Sequence, residues 1–237
     1  RKHSFPTRRS SDLGILDQGV SAFGDANAIV EIDCHTEAFS RRPLPAGVRF
    51  HVFNTTKKHA LVESAYADRA RECHDAFTVL RARDAALPCL AHASPDDVEA
   101  ARAELGENGY RRARHVTEEN RRVLACGEAL TAGDLDTVGR LLTASHHSSR
   151  DWFENSCEEL DFLVAQLIQQ PHVYGARLSG GGFGGAVMAM TSADFSTAQA
   201  EGIVAAYTEA FGLAPLWFET ATGTGARAVD PLDGTTL

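Results

Sequence analysis

The stretch YGARLSGGGFGGAVMAMTS, residues 174–192, reads as a strand, a glycine-rich turn and a second strand. Its centre, LSGGGFGG (178–185), holds five glycines in eight residues. Glycine permits positive φ and lets another backbone or a ligand approach the main chain closely. Such a run can turn several N–H groups toward an anion. It can equally make a plain tight hairpin. The Lys-Ser/Thr of a Walker loop is absent, and the spacing is GGGxGG rather than GxGxxG. On this segment alone both readings stand. Phe183 is expected to plug a core beneath the turn.

The flanking segments set the fold class. ADFSTAQAEGIVAAYTEAFG (193–212) is helical, and APLWFETATGTGARAV (214–229) reads as a last strand and a loop. Upstream, SCEELDFLVAQLIQQ (156–170) puts Leu160, Leu163, Val164, Leu167 and Ile168 on one stripe. DLDTVGRLLTASHHSSRDWF (134–153) gives a shorter helix. GYRRARHVTEENRRVLACGEAL (109–130) is a charged helix with Val116, Val123, Leu124 and Leu130 as its apolar stripe. VEAARAEL follows a candidate cap at Ser94 or Asp96. A further helix carries Leu61, Val62, Ala65, Tyr66, Cys73, Phe77 and Leu80 at helical spacing. VRFHVFNT (48–55) is a strand with Val48, Phe50 and Val52 as its apolar phase. NAIVEIDCH (27–35) is a short strand, and residues 36–47, with Arg41, Arg42, Pro43 and Pro45, read as strand end plus connection. GILDQGVSAFG opens with a helix whose apolar face is Ile15, Leu16, Gly19, Val20 and Phe23, with Gly24 at its C-terminal cap. Strand–helix units with antiparallel hairpins predict an α+β sandwich with helices on one sheet face.

Composition narrows the function classes. The 237 residues carry a net charge of −9, which argues against a nucleic-acid surface. A small phosphate-bearing ligand remains compatible, because a few backbone amides suffice to bind it. No apolar run approaches the length of a membrane span. Five dispersed cysteines without CxxC read as reduced thiols and a cytoplasmic setting. The histidines show no metal-ligand spacing. Residues 1–13, RKHSFPTRRSSDL, are basic, Ser-rich and aperiodic, and no initiator Met is present. They resemble translated adapter sequence, so the expected natural chain begins upstream.

Asp17 sits in the turn that opens the first helix. A carboxylate there interacts favourably with the helix dipole. It can also point into a cleft to orient or deprotonate a substrate hydroxyl. The local sequence does not choose between the two.

Five blocks in order carry a resemblance. They are GILDQGVSAFGDANAIVEIDC (14–34), FNTTKKHALVESAYADRARECHDA (53–76), RRARHVTEENRRV (111–123), SSRDWFENSCEELDFLV (148–164) and GARLSGGGFGG (175–185), and GTGAR (223–227) fits a closing segment. Together they resemble galactokinases of the GHMP small-molecule kinases. HALVESAY and SCEELD separate this branch from mevalonate and homoserine kinases. The resemblance implies a GHMP-kinase α+β fold: a C-terminal ferredoxin-like α/β sandwich domain over 48–230, after the last helix and strand of the N-terminal domain over 14–47, with 1–13 and 231–237 as tails.

The implied reaction is ATP-dependent phosphorylation of the C1 hydroxyl of D-galactose. By the resemblance Asp17 matches the catalytic carboxylate and also contacts substrate. Tyr66 matches a sugar-binding tyrosine, where spacing alone favours a core tyrosine. Gly180, Gly181, Gly182, Gly184 and Gly185 match the third-motif loop. Asp33 is expected to be structural. Lys57, Lys58 and Arg177 are candidates for charge near phosphates, with a solvated surface role the default for the two lysines.

The resemblance implies ATP and Mg2+ as cofactors, with the metal ligands outside these residues, and galactose and ATP as partners of a monomer that binds neither nucleic acid nor membrane. The family's GRxNLIGEHTDY and PxxxGLSSSA motifs do not occur in the chain. The chain by itself is therefore expected to be inactive. Other readings are a kinase for N-acetylgalactosamine or another hexose, or a galactokinase-like sensor that binds a transcriptional regulator.

Overall fold

The computed structural model describes residues 15–56 and 62–227, which fall into two compact units. One holds the chain up to Ala46 together with the segment from Thr222 onward; the other is Gly47–Ala221. The tails at 1–13 and 231–237 lie outside the described residues.

The first unit is a helix on a hairpin. Helix α1 (Leu16–Phe23) precedes antiparallel strands β1 (Ala28–Asp33) and β2 (Ala38–Pro43). Where strand end plus connection was expected at 36–47, the segment holds a full strand, β2. Its Arg-Arg-Pro sequence hid a strand whose arginines face partners: Arg42 grips Glu31 at 2.5 Å and Arg41 approaches Asp25 at 3.5 Å. α1 turns Gly19 toward the hairpin, where an added Cβ would meet the Phe39 ring at 2.3 Å. Leu16 and Val20, expected on the packed face, are exposed instead, whereas Phe23, though partly exposed, stacks its ring on Phe39 at 4.4 Å. Gly24 caps α1 in an extended rather than left-handed conformation. A Cβ there would lie 2.7 Å from the Val20 carbonyl, and the Gly24 carbonyl accepts the Gly225 N–H, so the closing GTGAR segment docks on the end of α1. Asp33 accepts from the His35 and Thr36 N–H groups and the Thr36 hydroxyl. The Thr36 hydroxyl and these amides hold its carboxyl below the usual range, and the group closes a turn.

The second unit is built on a four-stranded antiparallel sheet of order β4-β5-β3-β6, with β3 (Arg49–Asn54), β4 (Val173–Ser179), β5 (Ala186–Thr191) and β6 (Leu216–Thr220). Helices α6 (Glu158–Leu167) and α7 (Thr197–Phe211) pack on it. Leu160, Leu163, Val164 and Leu167 meet Phe53, Leu178, Val187 and Ala189 in one core, as the stripe over 156–170 predicts, except that Ile168 is exposed. Phe183 is not part of that cluster; it is half-buried with φ +57°. In β3 the buried phase is His51 and Phe53, continued by Thr55 just past the strand, not Phe50 and Val52. The reason is a partner for the imidazole: Trp217 Nε1 donates to His51 Nδ1 at 3.3 Å and Phe195 packs edge-on against the ring. Burial pushes the His51 pKa down, which keeps Nδ1 an acceptor.

The remaining helices form a second core. α2 (Val62–Arg83) and α4 (Arg102–Ala132) bury Ala76, Leu80, Tyr110 and Ala113 against Leu87, Leu90, Val98 and Ala101. Between them lies α3 (Pro95–Ala100), whose cap is Ser94, paired with Asp97 in a capping box. Of the expected α4 stripe, Leu130 is buried and Val116 packs on this core, but Val123 is 49% and Leu124 56% exposed, while Arg112, His115 and Thr117 are buried. Polar side chains with partners on neighbouring elements share the inward face with Tyr110, Ala113 and Leu130.

α5 (Leu135–Ser148) runs along the edge strand β4. The approach is so close that a Cβ on Gly139 would lie 2.0 Å from the Tyr174 carbonyl oxygen, and one on Gly175 2.0 Å from that of Gly139. The Ala176 and Leu178 N–H groups donate to Thr143 Oγ1 and His146 Nδ1, each at 3.4 Å, so the edge has side-chain partners on the helix.

Gly139→Ala or Gly175→Ala forces these backbones apart and is expected to cost about 3 kcal/mol, read as the shift in urea unfolding. A second prediction concerns His115, whose Nδ1 lies 2.9 Å from Ser148 Oγ and whose pKa burial lowers to about 4 from 6.5. The unfolded chain takes up this proton first as pH falls, so stability is full above pH 6.5 and declines toward pH 4. His115→Gln should lose about 2 kcal/mol less than the wild type between pH 7 and pH 5.

Candidate functional site

The hairpin β4–β5 presents the glycine loop, and its shape follows from contacts at both ends. Gly180, Gly182, Gly184 and Gly185 all have positive φ, as does Phe183 between them. At the β5 end the Gly185 carbonyl accepts from the Thr55 N–H at 2.8 Å and the Thr55 hydroxyl at 3.0 Å. Toward the β4 end the Asn155 carbonyl accepts the Phe183 N–H at 2.6 Å, and Asn155 Nδ2 donates to the Gly181 carbonyl at 3.1 Å. A Cβ on Gly182 would lie 2.0 Å from the Asn155 carbonyl oxygen. Asn155 thus clamps the loop through backbone and side chain together. Its Oδ1 is buried and lacks a hydrogen-bond partner among the described residues.

Asn155 is held by the turn before it. After α5 the chain makes a π-helical turn, Ser149–Phe153, ended by Glu154 in the left-handed region. The Ser149 carbonyl accepts from the N–H groups of both Glu154 and Asn155. The guanidinium of Arg112, 1% exposed, reaches in from α4. Its Nη2 donates to Glu154 Oε2 at 2.6 Å, its Nη1 to the Trp152 carbonyl, and its Nε to Glu72 Oε2 of α2 at 2.7 Å. Burial pushes the Glu154 carboxyl up, but the Arg112 hydrogen bond and the Arg112 and Arg111 charges outweigh it and hold it below the usual range.

Tyr66 stands near the start of α2. It is 59% exposed, which removes the core-tyrosine reading. Its ring lies beside Gly181, 3.6 Å from where a Cβ on that glycine would sit. The structure therefore brings together two of the sequence-expected features, Tyr66 and the glycine loop. Asp17 belongs to the first unit, exposed in the opening turn of α1. Lys57 and Lys58 lie outside the described residues. Arg177 Nε donates to the Leu178 carbonyl at 3.0 Å.

Arg112, Glu154 and Asn155 escaped sequence reasoning. Arginines in RRARH look like a solvated helix face, and only the distant carboxylates Glu72 and Glu154 draw one inward. Among the described residues no group of three or more His, Cys, Asp or Glu is placed to hold a metal ion.

The architecture has known counterparts. Residues 128–212 match the family GHMP kinases C terminal. The galactokinase of Canis lupus familiaris is 36% identical over 197 residues, 83% of this chain and 48% of the relative. That of Thermotoga petrophila is 34% identical over 217 residues, 91% of this chain and 59% of the relative. The crystal structure of Lactococcus lactis galactokinase complexed with galactose matches with a TM-score of 0.83 at 33% identity, covering 90% of this chain and 55% of that one. The chain spans about half the length of the curated relatives it matches. The mixed α+β architecture and these matches place the chain in the GHMP-kinase superfamily. Within that superfamily its homology is galactokinase-like and extends over most of its residues.

The loop geometry separates neighbouring glycines. Gly182→Ala combines a left-handed φ with a backbone collision and should cost about 3 kcal/mol. Gly181→Ala meets only ordinary contact with Tyr66 and should stay within about 0.5 kcal/mol in thermal unfolding.

Proposed function

We propose that this chain carries the sugar side of a kinase that transfers a phosphoryl group from ATP to the C1 hydroxyl of D-galactose. The observation that carries the reading is the exposed Tyr66 ring seated beside a glycine loop whose backbone is pinned at both ends. A phenol with one free face suits a pyranose: the ring covers C–H groups and the hydroxyl donates and accepts. Small residues in the loop let a sugar approach the main chain closely. Support also comes from the Lactococcus lactis relative, which is complexed with galactose.

In this reading Asp17 is the base. An alcohol is a far weaker acid than a carboxylic acid, so a carboxylate cannot ionise it in the ground state. In a loose phosphoryl-transfer transition state the attacking hydroxyl becomes acidic only late. A carboxylate already hydrogen-bonded to it holds the oxygen in line and takes the proton at that moment. ATP is the phosphoryl donor, and Mg2+ would neutralise charge on its phosphates. The chain by itself contains neither GRxNLIGEHTDY nor PxxxGLSSSA, so galactose-dependent ATP turnover is not expected from it alone.

The test has two parts. D-galactose added to the isolated chain should shift the Tyr66 ring resonances in NMR, with N-acetylgalactosamine and glucose run beside it. Absence of any sugar-dependent shift at Tyr66 counts against the reading, and a preference for another hexose would reassign the substrate. In an enzyme that joins this chain to the two motifs, Asp17→Asn should lower kcat at least ~100-fold with little change in KM for galactose. Retention of full kcat would remove Asp17 as base.

A further inference from the structure

The two parts of the proposed sugar side hang from one buried guanidinium. Tyr66 and Glu72 share helix α2, six residues apart, or about 9 Å along the axis. Glu72 Oε2 accepts from Arg112 Nε at 2.7 Å and also from Arg69. From the same Arg112, Nη2 holds Glu154 and Nη1 holds the Trp152 carbonyl, the end of the turn that presents Asn155 to the glycine loop. Three elements of separate sequence origin thus meet on one planar fork. Burial pushes the Glu72 carboxyl up, but the hydrogen bonds and charges of Arg112 and Arg69 outweigh it and hold it below the usual range, so both acids stay ionised against the fork.

We propose that Arg112 is a positioning residue that fixes the helix carrying Tyr66 relative to the turn that clamps the glycine loop. The proposal rests on the reading of Tyr66 and the loop as the sugar side. Its physical basis is geometric. Guanidinium presents donors in fixed directions within one plane, so a shift of α2 or of the Trp152–Asn155 turn breaks at least one of the three bonds. An ammonium supplies the same charge without fixing directions. The arrangement therefore does more than neutralise two half-buried acids: it sets the gap between the Tyr66 ring and Gly181. Arg111 reinforces one end only, donating to Glu154 Oε1 and the Asp151 carbonyl, both at 2.7 Å.

Arg112→Lys is the test, because it leaves Glu72 and Glu154 opposite a cation while removing the fork. Amide hydrogen exchange is followed at Phe183, whose N–H is bonded to Asn155, and at Ala189 in the central strand β5. The expected result is about tenfold faster exchange at Phe183 with Ala189 within twofold. Displaced Tyr66 ring resonances should accompany it without any sugar present. Glu154→Gln, which keeps the size of the acceptor and weakens one arm, should move the same signals less. Equal acceleration at both amides would reduce Arg112 to a general stabiliser and overturn the proposal, as would unchanged exchange at Phe183. D-galactose titration of wild type and variant adds a separate readout. Weaker affinity in Arg112→Lys is expected, and unaltered affinity in a chain that does bind the sugar overturns the positioning role. If the wild-type chain ignores galactose, the sugar-side reading fails, while the exchange and Tyr66 data still decide what Arg112 holds.

Discussion

Two backbones meet without a side chain between them where α5 passes β4. Gly139 and Gly175 make that contact possible, and any β-carbon at either position would occupy the space of a carbonyl group. The consequence is more than local packing. A sheet edge with free N–H groups must find partners or pair with another strand. With the helix this close, Thr143 and His146 supply those partners. The His146 bond to the Leu178 N–H holds the C-terminal end of α5 on the strand, just before the chain starts the π-helical turn Ser149–Phe153.

From that turn the order of the site is a sequence of handovers. The turn ends at Glu154 in a left-handed conformation, a position that Arg112 and Arg111 hold by its carboxylate. Asn155 follows and takes Phe183 and Gly181 of the loop. π-Helical turns interrupt regular helices where function needs an altered register, and the cost is borne by surrounding contacts. Here those contacts are ionic and buried. Arg112 at the centre contributes little as an isolated ion pair would be counted, since desolvation offsets attraction. Its effect lies in direction.

Much of this was legible in the residues. The β4–β5 hairpin, α6 with its Leu160–Leu167 stripe, α7 and strand β3 all follow from periodicity and caps, because each is decided by neighbours in sequence. What was not legible depends on distant partners. The buried phase of β3 is inverted relative to its apolar pattern, since His51 finds Trp217, 166 residues away. β2 was only partly legible, because its sequence is dominated by Arg41 and Arg42, whose partners are Asp25 just before β1 and Glu31 across the hairpin. The α4 stripe misled because Val123 and Leu124 fit helical spacing, whereas the inward face is chosen by Glu72, Glu154 and Ser148. For the candidate site, the glycines and Tyr66 could be named from motif resemblance. The clamp that shapes them could not, since nothing in ENS distinguishes Asn155 from an ordinary surface asparagine.

One feature of the loop separates chemistry from architecture within a single peptide unit. At Gly182 the main chain is committed, crossed by Asn155 and turned into a region other residues avoid. At Gly181 the chain is relaxed and its missing side chain would project beside the Tyr66 ring. Position 181 is consequently an address at which a β-carbon fits against the Tyr66 ring without moving the turn. A reporter placed there sits against the aromatic wall itself, and natural variation in what that wall admits has a ready place to occur.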